Sequence, residues 1–363
     1  MILPSLKHLR RLTDDTGISQ FAIHSVPNPC FGYTLDDNAR ALLVASKYYH
    51  HNVDREDATI LAYRYLSFLQ WSQLPDGWFH NELSYDRRWL DERGSEDAFG
   101  RAVWALGYAA THPIHRATAG AATEMLRLAI PQAETLKYQR GFAYTILGLV
   151  NLIEQDHPLG NRGLLKYLVE NLYEKLQCEL QTDWYWFEDK LTYDNGRLPQ
   201  SLMLAGQLLG NSQLLEASER SLSFLLSHVF EGNVLVPIGS NGWFHRNSQK
   251  ARYDQQPIDA ATIVEVCATA WRIFQKKEYF NYANLAWEWF HGQNSEQLAL
   301  YDTETGGCHD GLGCNSMNNN QGSESSIAFL QAGLALYDLP STFIQIDTPP
   351  HGSGRIVDPK TRS

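Results

Sequence analysis

One theme recurs along this 363-residue chain about every fifty residues: a polar, aromatic-rich loop runs into a helix with a polar or acidic first turn and a small, apolar body. The helix starts read Tyr33-Thr-Leu-Asp-Asp-Asn-Ala-Arg40, Ser95-Glu-Asp-Ala-Phe-Gly-Arg101, Tyr138-Gln-Arg-Gly-Phe142, Tyr193-Asp-Asn-Gly-Arg197, Tyr253-Asp-Gln-Gln-Pro-Ile-Asp259 and Gln321-Gly-Ser-Glu-Ser325. Six such starts predict a ring of helices whose N-terminal ends meet at one mouth, crowded with carboxylates, amides and rings.

Helical periodicity dominates the rest. Apolar residues recur at three- and four-residue intervals over 38–50, 58–73, 97–110, 120–136, 140–154, 162–180, 197–209, 212–230, 258–274, 276–292 and 324–337, with a short helix near 4–13. Two classes separate. Helices starting near 38, 97, 140, 197, 258 and 324 are rich in Ala, Gly and Leu, as inner helices packed on both sides must be. The alternates, such as 57–73 and 162–180, carry Lys, Arg and Glu on one face and fit an outer layer. Inner and outer rings of six predict an all-α (α/α)6 toroid over 1–340, followed by a flexible tail over 341–363. Strand-like alternation is nearly absent; Val234–Ile238 is at most a short piece within a loop.

Long loops precede the inner helices: 74–95, 181–195, 231–257 and 294–323. Stretches of more than about 15 residues without regular structure are uncommon in compact domains unless they serve function. They also repeat one another, since Gly77-Trp-Phe-His80 recurs as Gly242-Trp-Phe-His245. A duplicated turn and a shared ligand-facing rim both account for that.

The formal net charge of −11 argues against a nucleic-acid or anionic-membrane surface, which needs clustered Lys and Arg. Five scattered cysteines do not form a disulfide framework, and no run approaches the roughly 18 apolar residues of a membrane span. With no apolar signal region after Met1, the expected location is cytoplasmic.

The segments Tyr33–Leu42, Phe79–Trp89, Gly94–Asp97, Trp186–Asn195, Ala251–Pro257 and Asn320–Ser325 resemble a bacterial domain family found alone or fused to group 1 glycosyltransferases, among the six-hairpin glycosidase-like proteins. The resemblance covers about 25–338. It implies the (α/α)6 fold, a carbohydrate context and a glycosyltransferase as partner. Where that family usually has His after Glu-Asp, this chain has Ala98-Phe99.

Glycoside cleavage needs a protonated acid at the leaving oxygen and an ionised partner. Asp36/Asp37, Glu96/Asp97 and Glu188/Asp189 are adjacent acid pairs near helix entries. Neighbours on a helix diverge by about 100°, so one member of a pair faces the mouth while the other caps or pairs. Asp37 and Asp97 are the candidate bases, since a helix N-terminus favours the ionised form. Asp194, among Trp184, Tyr185, Trp186 and Phe187, is a candidate acid, its pKa raised by burial or by a neighbouring carboxylate, while Glu188, Asp254, Asp259, Asp310 and Glu324 stay open for either role. The expected activity is glycoside hydrolase-like, with inversion by analogy to toroidal glycosidases.

Sugar faces stack on flat rings while hydroxyls bond to amides, carboxylates and guanidiniums. Loop residues Trp89, Trp186 and Trp243 with Asp36, Asn81, Arg87, Arg88, Glu96, Glu188, Asn195, Arg197, Asp254, Gln255, Gln256 and Glu324 are therefore the expected substrate contacts. His80 and His245, in the two Gly-Trp-Phe-His copies, offer a rival acid/base pair for sugar epimerisation or isomerisation. A third reading is a non-catalytic glycan-binding module that assists a glycosyltransferase. Cys308-His309-Asp310 with Cys314 lacks the second ligand pair of a zinc site, and no phosphate-binding or nucleotide fingerprint is present. The sequence therefore predicts no metal and no cofactor.

Overall fold

Sorting the helices by composition predicts their layer. In the computed structural model, which describes residues 2–339, α2 (Leu35–His50), α4 (Glu96–Thr111), α6 (Gln139–Glu154), α8 (Arg197–Leu209), α10 (Pro257–Phe274) and α12 (Ser323–Tyr337) form the inner ring. Each packs on the next, and α12 returns to α2, which closes it. The outer layer is α1 (Lys7–Leu12), α3 (Arg55–Ser72), α5 (Arg116–Ala129), α7 (Arg162–Glu179), α9 (Ser212–Val229) and α11 (Lys277–Glu288). This is the (α/α)6 toroid, with the inner-helix N-termini and long loops forming one cleft. The expected tail, 341–363, lies outside the described residues.

The physical basis of the two layers differs. Helix α7 buries only one stripe, Leu164, Leu165, Leu168, Val169, Leu172 and Leu176, at helical spacing. Fully burying each such aliphatic side chain is worth roughly 1.5–3 kcal/mol. Helix α10 is instead buried continuously from Pro257 to Trp271, so it leaves no face to solvent there, and its Glu265 is paired with Arg197. Close approach between inner helices depends on glycine. A Cβ on Gly107 of α4 would stand 2.7 Å from the Gly148 carbonyl oxygen of α6, and one on Gly148 would stand 2.7 Å from that of Val103.

Helix entries follow their caps. Thr34 Oγ1 accepts from the Asp37 amide at 3.1 Å, and Ser95 Oγ accepts from the Ala98 amide at 3.2 Å, each filling one of the unpaired donors of a first turn. One predicted boundary differs. The expected helix over 120–136 begins earlier, at Arg116, and passes after Ala129 into a 3-10 turn over Ile130–Thr135. Pro131 has no amide hydrogen to continue the α-helical ladder.

The mouth loops are tied down by two-residue antiparallel pairs. Tyr33–Thr34 pairs with Glu82–Leu83, Lys190–Leu191 with Phe244–His245, and Val234–Leu235 with Phe230–Glu231. Both Gly-Trp-Phe-His copies begin on a glycine in the left-handed region, Gly77 at φ +93 and Gly242 at φ +116. The duplicated turn thus has a backbone cause. No described helix is long and apolar enough to cross a membrane.

Candidate active site

A cavity of about 800 Å3 opens at the inner-helix N-termini. Asp36 of α2, Glu96 and Asp97 of α4, and Glu324 of α12 supply four carboxylates to its wall. Arg93, Arg101 and Lys137 supply cations, and Trp78, Tyr138 and Tyr193 supply rings. Helices α12, α2 and α4 are consecutive in the ring, so Glu324 and Asp97 flank Asp36.

Beneath this cavity lies a layer of alternating charges. Arg40 Nε meets Asp36 Oδ1 at 2.9 Å, while its Nη2 donates to Asp37 Oδ1 at 2.9 Å and Glu324 Oε2 at 3.0 Å. Arg101 donates to Asp36 through Nη1, and through Nη2 to Tyr144 OH at 2.7 Å and Asp194 Oδ2 at 3.3 Å. Asp194 also accepts from Tyr144 OH, and its Oδ1 faces Arg197 Nε at 3.2 Å. Arg197 continues the chain to Glu265 at 2.5 Å. A buried guanidinium is tolerated only where it is paired in this way.

The pairing sorts the acids. Burial pushes the Asp36 and Asp194 pKa values up, but the neighbouring guanidiniums outweigh it: Arg101 and Arg40 for Asp36, Arg197 and Arg101 for Asp194. Both therefore stay below the usual carboxylate value. Asp37 goes the other way. Burial, with the charges of Asp36 and Glu324 beside it, pushes its pKa up to about 6 against the pull of Arg40. Asp259 is raised well above the ordinary value by burial and by the Asp194 charge. Its Oδ1 accepts from the Asp194 amide at 2.7 Å, and its Oδ2 has no partner.

The sequence-predicted residues divide accordingly. Asp97 lines the cavity and accepts from Tyr193 OH at 2.5 Å. Asp37 is buried beneath Arg40 and bonded to Thr34 Oγ1 at 2.8 Å, and does not line the cavity. Asp194 does not meet the expectation of a raised pKa: it is 1% exposed and held ionised between two arginines. Asp36, Glu96, Gln256 and Glu324 line the central cavity, whereas Glu188 and Trp243 line a second one beside it and Asp254 a third. Glu96 is occupied, accepting from the Lys137 and Tyr138 amides at 2.9 and 2.8 Å.

Several expected contacts are interior or off-site. Trp186 is fully buried against Phe187 and Phe224, because its loop folds back on α9. Gln255 accepts from the Trp289 indole and lines the third cavity beside Asp254, Asn195 caps its own turn at Thr192, and Arg197 belongs to the charged layer. Asn81 Oδ1 accepts from the Asp36 amide at 3.3 Å, which positions the α2 entry. Arg87 and Arg88 pair at the surface with Asp15 and Asp86. His80 stacks on Trp89 and bonds the Asp91 carbonyl, His245 sits in its exposed strand pair, and neither lines the central cavity.

Sequence reasoning missed Arg40, Arg101, Tyr138, Tyr144 and Tyr193 as site residues. A signal for the arginines exists. Arg40, Arg101, Arg140 and Arg197 each fall within the first two turns of an inner helix, where the dipole disfavours cations. A cation there implies an acid from a neighbouring helix.

The geometry can be set beside known proteins. No family model matches the chain, and no curated protein matches its sequence. Solved structures match over most of its length. Cellobiose 2-epimerase from Bacillus thermoamylovorans B4167 aligns with a TM-score of 0.70 at 13% identity, covering 92% of this chain and 96% of that one. A D-mannose isomerase gives 0.70 at 12%, covering 91% and 95%. The GH76A alpha-1,6-mannanase from Salegentibacter sp. HEL1_6 gives 0.62 at 12%, covering 91% and 96%. An inactive variant of that mannanase, changed at two consecutive aspartates, is in complex with alpha-1,6-mannotetrose. The class defined is the (α/α)6 toroid fold. At such identities the likeness is one of fold.

Proposed function

We propose that this protein is a carbohydrate-active enzyme of glycoside hydrolase-like activity, cleaving an oligosaccharide or glycan at the N-terminal mouth of the toroid. The observation that carries the reading is the wall of the central cavity: carboxylates from three consecutive inner helices beside Trp78, Tyr138 and Tyr193. Its volume lies within the several-hundred-Å3 range of small-molecule sites. Mannanases are among its structural neighbours, which supports this class of chemistry.

Roles follow from position. Asp36, held ionised by two guanidiniums, stabilises the positive charge that develops at the anomeric carbon. Asp97 and Glu324, on either side of it, supply acid and base. Asp37 and Asp194 position the machinery: the first through Arg40, the second through Arg101. The epimerase reading is less favoured, because His80 and His245 lie outside the central cavity.

The test is turnover of an oligosaccharide panel, with products separated by chromatography. Asp97→Asn and Glu324→Gln should each lose at least about a hundredfold in rate, the usual scale of general acid–base catalysis, with melting temperature preserved. Cleavage at wild-type rate by both variants refutes the assignment. Binding without turnover by the wild type makes the protein a glycan-binding module. Uptake of solvent deuterium by a free sugar instead revives isomerisation.

A further inference from the structure

The mouth is divided into compartments with common walls. The central cavity shares Asp97, Tyr138 and Tyr193 with a second cavity of about 450 Å3. On another side it shares Gln256 with a third of about 400 Å3. One arm carries Lys190 and Trp243, the other Asp254, Asp310 and Asn318. Together they form a trough at the mouth, with both arms adjoining the acid-lined centre.

Tyr138 stands where the centre meets the first arm. Its side chain is 65% exposed, and among the described residues its hydroxyl bonds nothing and its ring stacks on nothing. Its backbone is nonetheless fixed, because the Glu96 carboxylate accepts from both the Lys137 and Tyr138 amides. A bare ring on an anchored backbone presents an open face on which a sugar can stack. Trp243 in the same arm adopts φ +57, a conformation that bulky residues rarely hold. Strain of this kind persists where the surrounding structure imposes it, commonly at ligand sites.

We infer that the ligand is a linear oligosaccharide of more than two units, lying through all three compartments, with Tyr138 as a stacking platform beside Asp97. This rests on the carbohydrate reading above. A mono- or disaccharide fills only the centre, so the trough favours cleavage within a chain over action on a free sugar. Tyr138 is thus a residue that sets chain-length specificity, and Lys190, Trp243, Asp254 and Asp310 line the flanking subsites.

The experiment is calorimetric titration of full-length Asp97→Asn protein, chosen to suppress turnover. The probes are linear manno-oligosaccharides and gluco-oligosaccharides of one to six units. Affinity should climb with length beyond the disaccharide in at least one series. Tyr138→Ala should weaken binding of the longer members by about tenfold, the upper range of an aromatic stacking contact. Tyr138→Trp should restore it. Because Tyr138 is exposed, both variants should keep the wild-type melting temperature. Affinity that stops rising at two units, or is indifferent to Tyr138→Ala, overturns the trough while leaving the carbohydrate reading intact. A protein that binds no member at any length overturns both.

Discussion

Asp194 is the sharpest place to separate structure from catalysis. Its carboxylate is 1% exposed and takes Tyr144 OH and Arg101 on one oxygen and faces Arg197 on the other. Asp194→Asn keeps the shape and removes the charge, leaving two buried guanidiniums short of an anion. Breaking a buried pair costs about 3–5 kcal/mol. Arg101 retains Asp36, and Arg197 retains Glu265, so the loss belongs at about 3 kcal/mol, the lower end of that range. For a domain of this size that is about 4 °C in melting temperature. The pH dependence has a definite sign. The Asp194 pKa is depressed in the folded state, so its stabilisation is present above the unfolded carboxylate value and is lost as pH falls through the depressed one. The gap between wild type and variant, read from urea melts, should therefore be constant from pH 8 to 5 and close only below pH about 4. A gap under about 1 kcal/mol at pH 7, or one that changes between pH 5 and 7, refutes the ion-pair account. Abolished turnover with unchanged stability would return Asp194 to the role of proton donor.

Asp37 should behave oppositely, because its folded pKa of about 6 lies above the ordinary carboxylate value of 3.8. Between those values the folded state holds a proton that the unfolded chain has released, so wild-type stability should rise as pH falls from 7 towards 4. Urea midpoints for Asp37→Asn should show a shallower slope, the raised Asp259 keeping its own share, and an identical slope in the variant refutes the assignment. Gly148→Ala should destabilise by more than about 2 kcal/mol, as overpacking against a backbone that cannot yield does. Gly120→Ala in α5, where a Cβ meets nothing within 4 Å, should stabilise by up to about 1 kcal/mol. Thermal melts of the two variants decide the pair, and a Gly148→Ala protein as stable as wild type would show that α4 and α6 are not in backbone contact.

Local information made much of the molecule legible. Ser95 and Thr34 announce their helices through hydrogen bonds that span three residues. Gly100, Gly107, Gly141 and Gly148 mark the face where α4 and α6 approach. The repeated loop-to-helix theme also carries ring order and polarity, because parallel inner helices place all their starts at one end. Trp186 shows where such reading stops. In sequence it resembles Trp243, an aromatic in a polar loop, yet one is fully buried against α9 and the other lines a cavity. Their fates differ by what the loop folds against, which no neighbouring residue encodes.

The same holds for the acids. That carboxylates gather at the mouth follows from helix starts, since the first turn of each helix carries its own preference for negative charge. Which of them stay ionised, which carry a proton and which face open space depends on cations from other helices: Arg40 between Asp37 and Glu324, Arg101 between Asp36 and Asp194. Caps and periodicity act within one turn of chain. Burial and charge pairing act across the ring, between residues such as Arg40 and Glu324 that lie 284 positions apart, so they exist only once the ring has closed.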